Sequence, residues 1–431
     1  MVKKNFFVRL LKKLANLPLA IGILFTIGNL IAVGTIIEQN QSISFYKENY
    51  TEANPVLGFI SWKLILLLNL NEIYTSYFFI FLLLLLGSSL LACSFTTQLP
   101  ALKKFRLWNF LKYPEQFKKF TSKSTQTLKT ANNIIFTLYK EDYHIFRQGK
   151  KNYAYSGLLG RVAPIVVHFS ILLLLLGSTL GSFNGYEAQE IIPRGEIFHI
   201  QNLIKSGDLS YVSQNLSWRI NDFWITYTKD LKTNQFYSDL SLIDNFGSEI
   251  KRKTIFVNEP FVYKGITLYQ TDWDILGLKI KINNKLTVQI PLKKINKNGK
   301  NFWLGKIVLE EDSKVFTILL NDLKGNLFVY DDKGLLVKEC SVGDNLALST
   351  SNTIKFYDII TTTGLQIKID PGIKVVYTAF FFLMVSAYTS YISYSKVWGI
   401  ENSAQFIIGG NSNRAVLYFQ QEFKKLLQKS K

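Results

Sequence analysis

Sulfur and imidazole are scarce in this chain of 431 residues, which has two cysteines, Cys93 and Cys340, and three histidines, His144, His168 and His199. There is no CxxC, so the chain alone is not a dithiol exchanger, a chemistry that needs two sulfurs within bonding reach. His144 and His199 have no second ligand at metal spacing and are not assigned a site. No nucleophile–base motif or carboxylate pair stands out among the 22 acidic residues of 183–372, and no catalytic residue is assigned.

Charge is missing in a more organised way. The runs 17–37, 75–96, 162–182 and 373–395 contain at most one charged side chain each, and each matches the roughly 20 apolar residues that cross a bilayer as a helix. A fifth apolar run, 59–70, contains Lys63 and is too short to span, so it reads as interfacial or re-entrant. The first run follows a basic start that resembles a secretory signal. It is longer than a signal core and has no small-residue cleavage site, which makes it an expected uncleaved anchor.

Acidic residues are also scarce where basic ones gather. Residues 1–18 carry five Lys/Arg and no acid, 98–161 carry thirteen against three, and 396–431 carry six against two. These three stretches hold the entire formal charge of +19. Lys/Arg-rich connections stay on the cytoplasm-like side, and four crossings place all three on one side. An orientation signal therefore explains the basic excess, and no nucleic-acid partner is expected.

The expected fold class is a multi-pass α-helical membrane protein with four transmembrane helices and a large β-rich extracytoplasmic domain. Residues 1–97 hold the N-terminal tail and helices 1–2 with a short lumenal loop, and 98–161 form a basic stromal or cytoplasmic loop. Helix 3 is 162–182, the lumenal β-rich domain is 183–372, helix 4 is 373–395, and 396–431 is a basic tail. Alternating runs such as INDFWITYT (220–228), a hairpin signal at Asn283-Asn284, and turns at KNGK, LKGN and DDKG support the β assignment. In the basic loop, Phe105, Trp108, Phe110, Tyr113 and Phe117 read as anchors on membrane lipid. In the tail, Val416, Tyr418, Phe419, Phe423, Leu426 and Leu427 suggest one amphipathic helix, facing either the membrane or a partner helix.

One histidine falls in a spanning run. HFSILLLLLGSTLGS (168–182) and FFIFLLLLLGSSLLA (78–92) align on their leucine runs, with Phe78 in the place of His168. Spanning therefore does not require the histidine. It lies roughly 10 Å along the helix from Arg161 at ~1.5 Å per residue. Hydrogen bonding to a neighbouring helix, a proton relay and metal ligation are the open readings. Small residues at Gly177, Ser178, Gly181 and Ser182, and at Gly87, Ser88 and Ser89, would admit either a flat macrocycle or close helix packing.

Several stretches together resemble a known family. They are GTIIEQNQ (34–41), SYFF…SLLACS ending helix 2, GRVAPIVVHFSILLLLLGSTLG (160–181) and NEPFVYKGITLYQTDW (258–273) with its G-x-x-x-YQ element. To these add GLQIKIDPGIKVVYTAFFFLMVSAYTSYISYSKVW (364–398) and GGNSNRAVLYF (409–419). In order and spacing they resemble the ResB-type cytochrome c biogenesis proteins of the system II pathway of plastids, cyanobacteria and many bacteria.

The resemblance implies a subunit that delivers haem across a membrane for covalent attachment to apocytochromes c. It would work with a partner haem-handling membrane protein and with thiol reductants. The family's helix-3 histidine falls on His168, implying a candidate axial ligand to the iron of transiently, non-covalently bound haem. Asp370 falls on a recurrent acidic position, and Tyr394 stands where relatives often carry a histidine, so no second haem ligand is assigned to this chain. An accessory subunit of a cytochrome c synthase is expected, rather than an enzyme acting alone. The alternative is a membrane sensor or transporter subunit with an extracytoplasmic ligand-binding domain. Abundant Lys, Asn, Ile and Phe, and a start without a transit peptide, favour a plastid-encoded thylakoid protein over a bacterial or cyanobacterial membrane protein.

Overall fold

A computed structural model describes residues 2–53, 55–56, 58–105, 108–213, 216–229, 233–283, 285–297, 300–309, 314–347, 353–402 and 405–430. The chain divides into two compact units, 1–177 with 374–431, and 178–373.

Among the described residues, four helices are long and apolar enough to cross a membrane: Leu17–Ile36, Tyr77–Lys103, Leu159–Asn184 and Ile373–Ser390. A helix closes its own backbone hydrogen bonds, which is what permits such runs in lipid. A separate helix, Val2–Leu14, precedes the first span, and Pro18 falls in that span's opening turn, where its missing N–H costs nothing. Ser89 of the second span donates its hydroxyl to the Leu14 carbonyl at 2.7 Å, tying the N-terminal helix to the span.

GTIIEQNQ forms a latch at the end of the first span. The Cβ of any larger residue at Gly34 would meet the Tyr74 hydroxyl at 2.7 Å. Gln39 donates to the carbonyls of Ile37 and Leu70 at 2.8 and 2.9 Å and accepts from the Ile73 N–H at 2.9 Å. The fifth apolar run forms the short helix Trp62–Leu67, and the tighter turn Leu70–Thr75 begins where the run ends.

The basic loop and the basic tail fold together, and two expectations for them need correction. Five strands lie in the order Ser122–Thr127, Gln405–Ser412, Ser395–Asn402, Lys151–Ser156 and His144–Gln148, every pairing antiparallel. One face of the sheet carries the helices Leu128–Lys140 and Val416–Lys429, which bury Ile134, Leu138, Phe419, Phe423 and Leu426 against Val397 and Ile408. The amphipathic tail helix is thus covered within its own unit, although Val416 and Tyr418 remain exposed.

The other face buries Phe117, Phe120, Tyr153 and Trp398, with Phe110 packed against them. Phe117 is a core residue rather than a lipid anchor, and Trp108 stacks on Phe146 at 4.4 Å. Tyr113 is exposed. The side chain of Phe105 lies outside the described residues. Aromatic residues near a membrane look alike in sequence whether they anchor or pack, because what covers these ones, Phe146 and Tyr153 for Trp108 and Phe110 and the Gln405–Ser412 strand for Phe117, is remote in the chain.

The second unit is built on two 17-residue strands, Ile266–Ile282 and Thr353–Ile369, paired from Ile266↔Ile369 to Ile282↔Ile354 with three irregularities. One end of this ribbon packs into a core around Trp218, Phe261 and Leu365, and the other into a core around Trp303, Ile318 and Phe356. All of INDFWITYT but its last threonine lies in the strand Ser217–Tyr227, and Ile282↔Leu286 closes the expected hairpin, with Asn284 outside the described residues. Lys297 pairs with Lys300 around the KNGK tip, whose residues 298–299 also lie outside them. Gly325 and Gly334 supply the left-handed conformations at LKGN and DDKG.

The G-x-x-x-YQ element has a structural explanation. Gly265 turns the chain at φ 89°, and Gln270 lies at the first bulge of the ribbon. There the buried Gln270 amide donates to Thr363 Oγ1 at 2.7 Å and its carbonyl accepts from Ser238 Oγ at 2.5 Å. Gln270→Leu removes the amide from this buried network and leaves Ser238 Oγ and Thr363 Oγ1 with their mutual hydrogen bond at 2.8 Å, so it is expected to destabilise the protein by about 1–3 kcal/mol. Thermal unfolding of purified protein checks this, and an unchanged midpoint refutes it.

Candidate functional site

His168 lies ten residues into the third span, Leu159–Asn184, half-buried and seven residues beyond Arg161 on the same helical face. It faces the end of the second span. There the helix widens into a π turn, Ser94–Gln98, in which the Leu99 N–H reaches the Ser94 carbonyl. Such bulges insert one residue into the ladder and often mark functional positions. Here the turn brings two polar side chains to the imidazole: Ser94 Oγ lies 3.3 Å from Nδ1, and Gln98 Nε2 lies 3.4 Å from Nε2.

The hydrogen-bond network assigns the tautomer. Ser94 donates its hydroxyl hydrogen to the Leu90 carbonyl at 2.8 Å, leaving its oxygen to accept from His168 Nδ1–H. Nε2 then carries a lone pair, and the Gln98 amide donates to it over a long contact. A neutral imidazole held at Nδ1 with Nε2 exchangeable is the donor a metal centre such as haem iron takes axially. The chemistry of the site fits that ligand. Sequence reasoning missed Ser94 and Gln98. They fall in the polar stretch SFTTQ, where nothing local distinguishes them from Thr96 and Thr97.

Two of the small residues, Gly177 and Gly87, lie against neighbouring spans. A Cβ on Gly177 would meet Val376 Cγ2 at 2.9 Å, and Gly87 faces Leu175 at 3.7 Å. What fixes the start of the third span is closer still. A Cβ on Gly160 would lie 1.9 Å from the Ile392 carbonyl oxygen, and one on Gly157, at φ 75°, would lie 2.0 Å from that of Ser393. Pro164 follows inside the helix, where its missing N–H weakens the first turns.

Tyr394 is not on helix 4, which ends at Ser390; the sequence boundary of 395 is therefore corrected. Arg414 donates to the Ser390 carbonyl there and caps the end. Tyr394 is buried in the basic sheet unit, its hydroxyl 3.4 Å from that of Tyr153, its ring 5.4 Å from the Arg161 guanidinium and 5.2 Å from Lys396 Nζ. Burial pushes the Tyr394 hydroxyl up and the Lys396 ammonium down.

Asp370 belongs to the second unit and organises the entry to the fourth helix. Its carboxylate accepts from the Gly372 N–H at 3.0 Å and occupies the space that a Cβ on Gly181 would need, 2.4 Å away. His144 is exposed beside Tyr155, His199 is exposed, and Cys340 is buried in the second unit.

Three comparisons bear on the chain. A protein-family model described as ResB-like matches residues 17–327. The cytochrome c biogenesis protein Ccs1 of Emiliania huxleyi is 56% identical over 423 residues, covering 98% of this chain and 96% of that one. CcsB of a Picosynechococcus strain is 42% identical over 419 residues, covering 97% and 90%. The solved structure of the cytochrome c heme lyase CcmF aligns with 77% of this chain and 43% of its own at 11% identity and a TM-score of 0.26, too low to bear on the fold. With the model matched over most of its length and relatives along nearly all of it, this chain belongs to the ResB-like family.

Proposed function

We propose that the chain is the membrane subunit of a system II cytochrome c maturation complex, delivering haem for covalent attachment to apocytochromes c. The observation that carries this is His168: the one histidine in a membrane-crossing helix, with its proton held at Nδ1 by Ser94 and its Nε2 lone pair offered towards Gln98. The names of the relatives, cytochrome c biogenesis proteins, point the same way.

Haem is cargo here, bound transiently and without a covalent bond to this chain. His168 Nε2 holds it axially in place of the Gln98 contact, and a partner haem-handling membrane protein supplies the opposite side. The spans stand open for such a partner, since only 17% of the third and 11% of the fourth are buried. The β-rich unit orients the apocytochrome, and separate thiol reductants keep its cysteines ready. In this reading both termini and the sheet unit lie on the stromal side of a thylakoid membrane and 183–372 in the lumen, an orientation supported by the Lys/Arg-rich segments. Reporters fused after Lys123 and after Lys300 test this orientation: the second is expected to be translocated and the first not, and the reverse pattern refutes it.

Ser94 gives a graded test of the ligand role. Ser94→Ala frees the ring to change tautomer while leaving His168 in place. Removing a partner that orients a metal-bound histidine typically costs about 10–100-fold in affinity. Haem retained by the purified complex is expected to fall accordingly, with Ser94→Thr keeping most of it. Equal retention in Ser94→Ala and wild type overturns the assignment of Ser94.

A further inference from the structure

The sheet unit contains a cavity of about 220 Å³ at the edge where the third span begins and the fourth has just ended. Its lining draws on Ser156 before the third span, Ser393 and Ser395 after the fourth, Tyr143 beyond the Leu128–Lys140 helix, and Tyr418 and Glu422 on the tail helix. A water occupies about 30 Å³ of liquid volume, so the cavity suits a small organic group.

Glu422 carries the only formal charge on the lining, and no basic side chain contributes to it. The carboxylate is half-buried and has no hydrogen-bond or ion-pair partner among the described residues. That is unexpected in so basic a unit. Nearby Glu141 has a lysine at 2.6 Å, Lys429 of the same tail helix. Withdrawing a carboxylate from water costs free energy unless an opposite charge or donors replace the solvent. The surrounding groups are hydroxyls, which accept hydrogen bonds, and tyrosine rings, which attract cations over their faces. A divalent metal calls for more anionic ligands, and no cluster of three or more acidic, histidine or cysteine side chains occurs among the described residues.

We propose that this cavity is a binding site for a primary ammonium group, with Glu422 as its counter-ion, serine hydroxyls accepting its remaining hydrogens and Tyr143 and Tyr418 flanking it. Two sources share that chemistry: the amino headgroup of a membrane lipid at this boundary, and a soluble alkylamine. Burial and the neighbouring Glu141 raise the pKa of Glu422 above the usual carboxylate range. Binding is therefore present when this carboxylate is ionised and is lost as pH falls through the raised value.

The test uses the full chain purified in detergent and titrated with ethylammonium at pH 8, followed by thermal unfolding. Saturable stabilisation by ethylammonium and none by ethanol is expected. Glu422→Gln is expected to weaken it by about tenfold or more, as for the loss of a charge-assisted hydrogen bond. Tyr418 is exposed, so Tyr418→Leu leaves the core intact and is expected to weaken binding even where the glutamine variant fails to fold. Nanodiscs of phosphatidylethanolamine against phosphatidylcholine then separate the sources. Glu422-dependent stabilisation by the former alone assigns the lipid, and response to free amine alone assigns the soluble ligand. Stabilisation by ethanol as strong as by ethylammonium, no response to either amine source, or full binding in the folded Glu422→Gln and Tyr418→Leu variants overturns the proposal.

Discussion

A Gly160→Val variant is expected to leave little folded protein in the membrane. The obstacle is the Ile392 carbonyl oxygen, 1.9 Å from the position of a Cβ. Because that atom is backbone, no rotamer change relieves the clash. The start of the third span would have to move away from the exit of the fourth. Overpacking in well-packed sites costs about 1–3 kcal/mol, and a displaced backbone contact belongs at or beyond the upper end. Gly149→Ala makes the informative control. It replaces a glycine whose φ, unlike that of Gly160, is positive, 57°, but meets nothing within 4 Å, so only the left-handed strain of about 1–2 kcal/mol applies. Thermal unfolding and recovery after solubilisation should therefore rank wild type above Gly149→Ala, and both well above Gly160→Val. Recovery of Gly160→Val at the level of the control contradicts the packing. Gly160 lies eight residues before His168, so any variant that folds with a shifted helix start is also expected to disturb the contacts to Ser94 and Gln98.

The second large effect concerns His168 itself. His168→Phe is expected to accumulate normally and to abolish assembly of c-type cytochromes. Phe78 occupies the matching place in the second span, so an aromatic hydrocarbon there is compatible with a membrane helix. His168→Gly is expected to show the same loss, but to regain part of its activity when imidazole is supplied, because the deleted ring leaves space for a free one. Loss of a metal ligand should exceed the ~10–100-fold cost of disturbing only its hydrogen-bond partner. Haem staining of membranes, together with an immunoblot for the chain, separates loss of function from loss of protein. Rescue of His168→Phe by imidazole would be as damaging to the ligand role as a fully active His168→Gly.

Much of the membrane architecture was legible because it rests on local properties. Apolar runs and the location of Lys and Arg are each visible within about 20 residues, and the four spans follow from them. The β character of 183–372 was legible for the same reason, through alternation and turn residues. What escaped was pairing across long sequence separations. The strands Ser122–Thr127 and Gln405–Ser412 lie side by side in one sheet, and nothing local to either shows the other. Phe117 therefore looked like a lipid anchor and the tail helix like a free amphipathic face.

His168 was legible through scarcity, since an ionisable side chain in an apolar helix asks for a reason. The residues that set its tautomer were not, because serine and glutamine at a helix end are common. The significance of Ser94 and Gln98 lies in which helix they face. Tyr394 was misplaced by a few residues, as happens when a helix ends by docking its last carbonyls on another segment rather than at a proline or glycine in its own sequence.

Haem ligation by His168 is tested most directly by the absorption spectrum of the complex purified with its membrane partner. Wild type is expected to carry haem with a low-spin spectrum, His168→Gly to lose most of that haem, and the same variant prepared with imidazole to regain the low-spin bands. A His168→Gly complex that keeps the wild-type haem content and spectrum without imidazole would contradict the assignment.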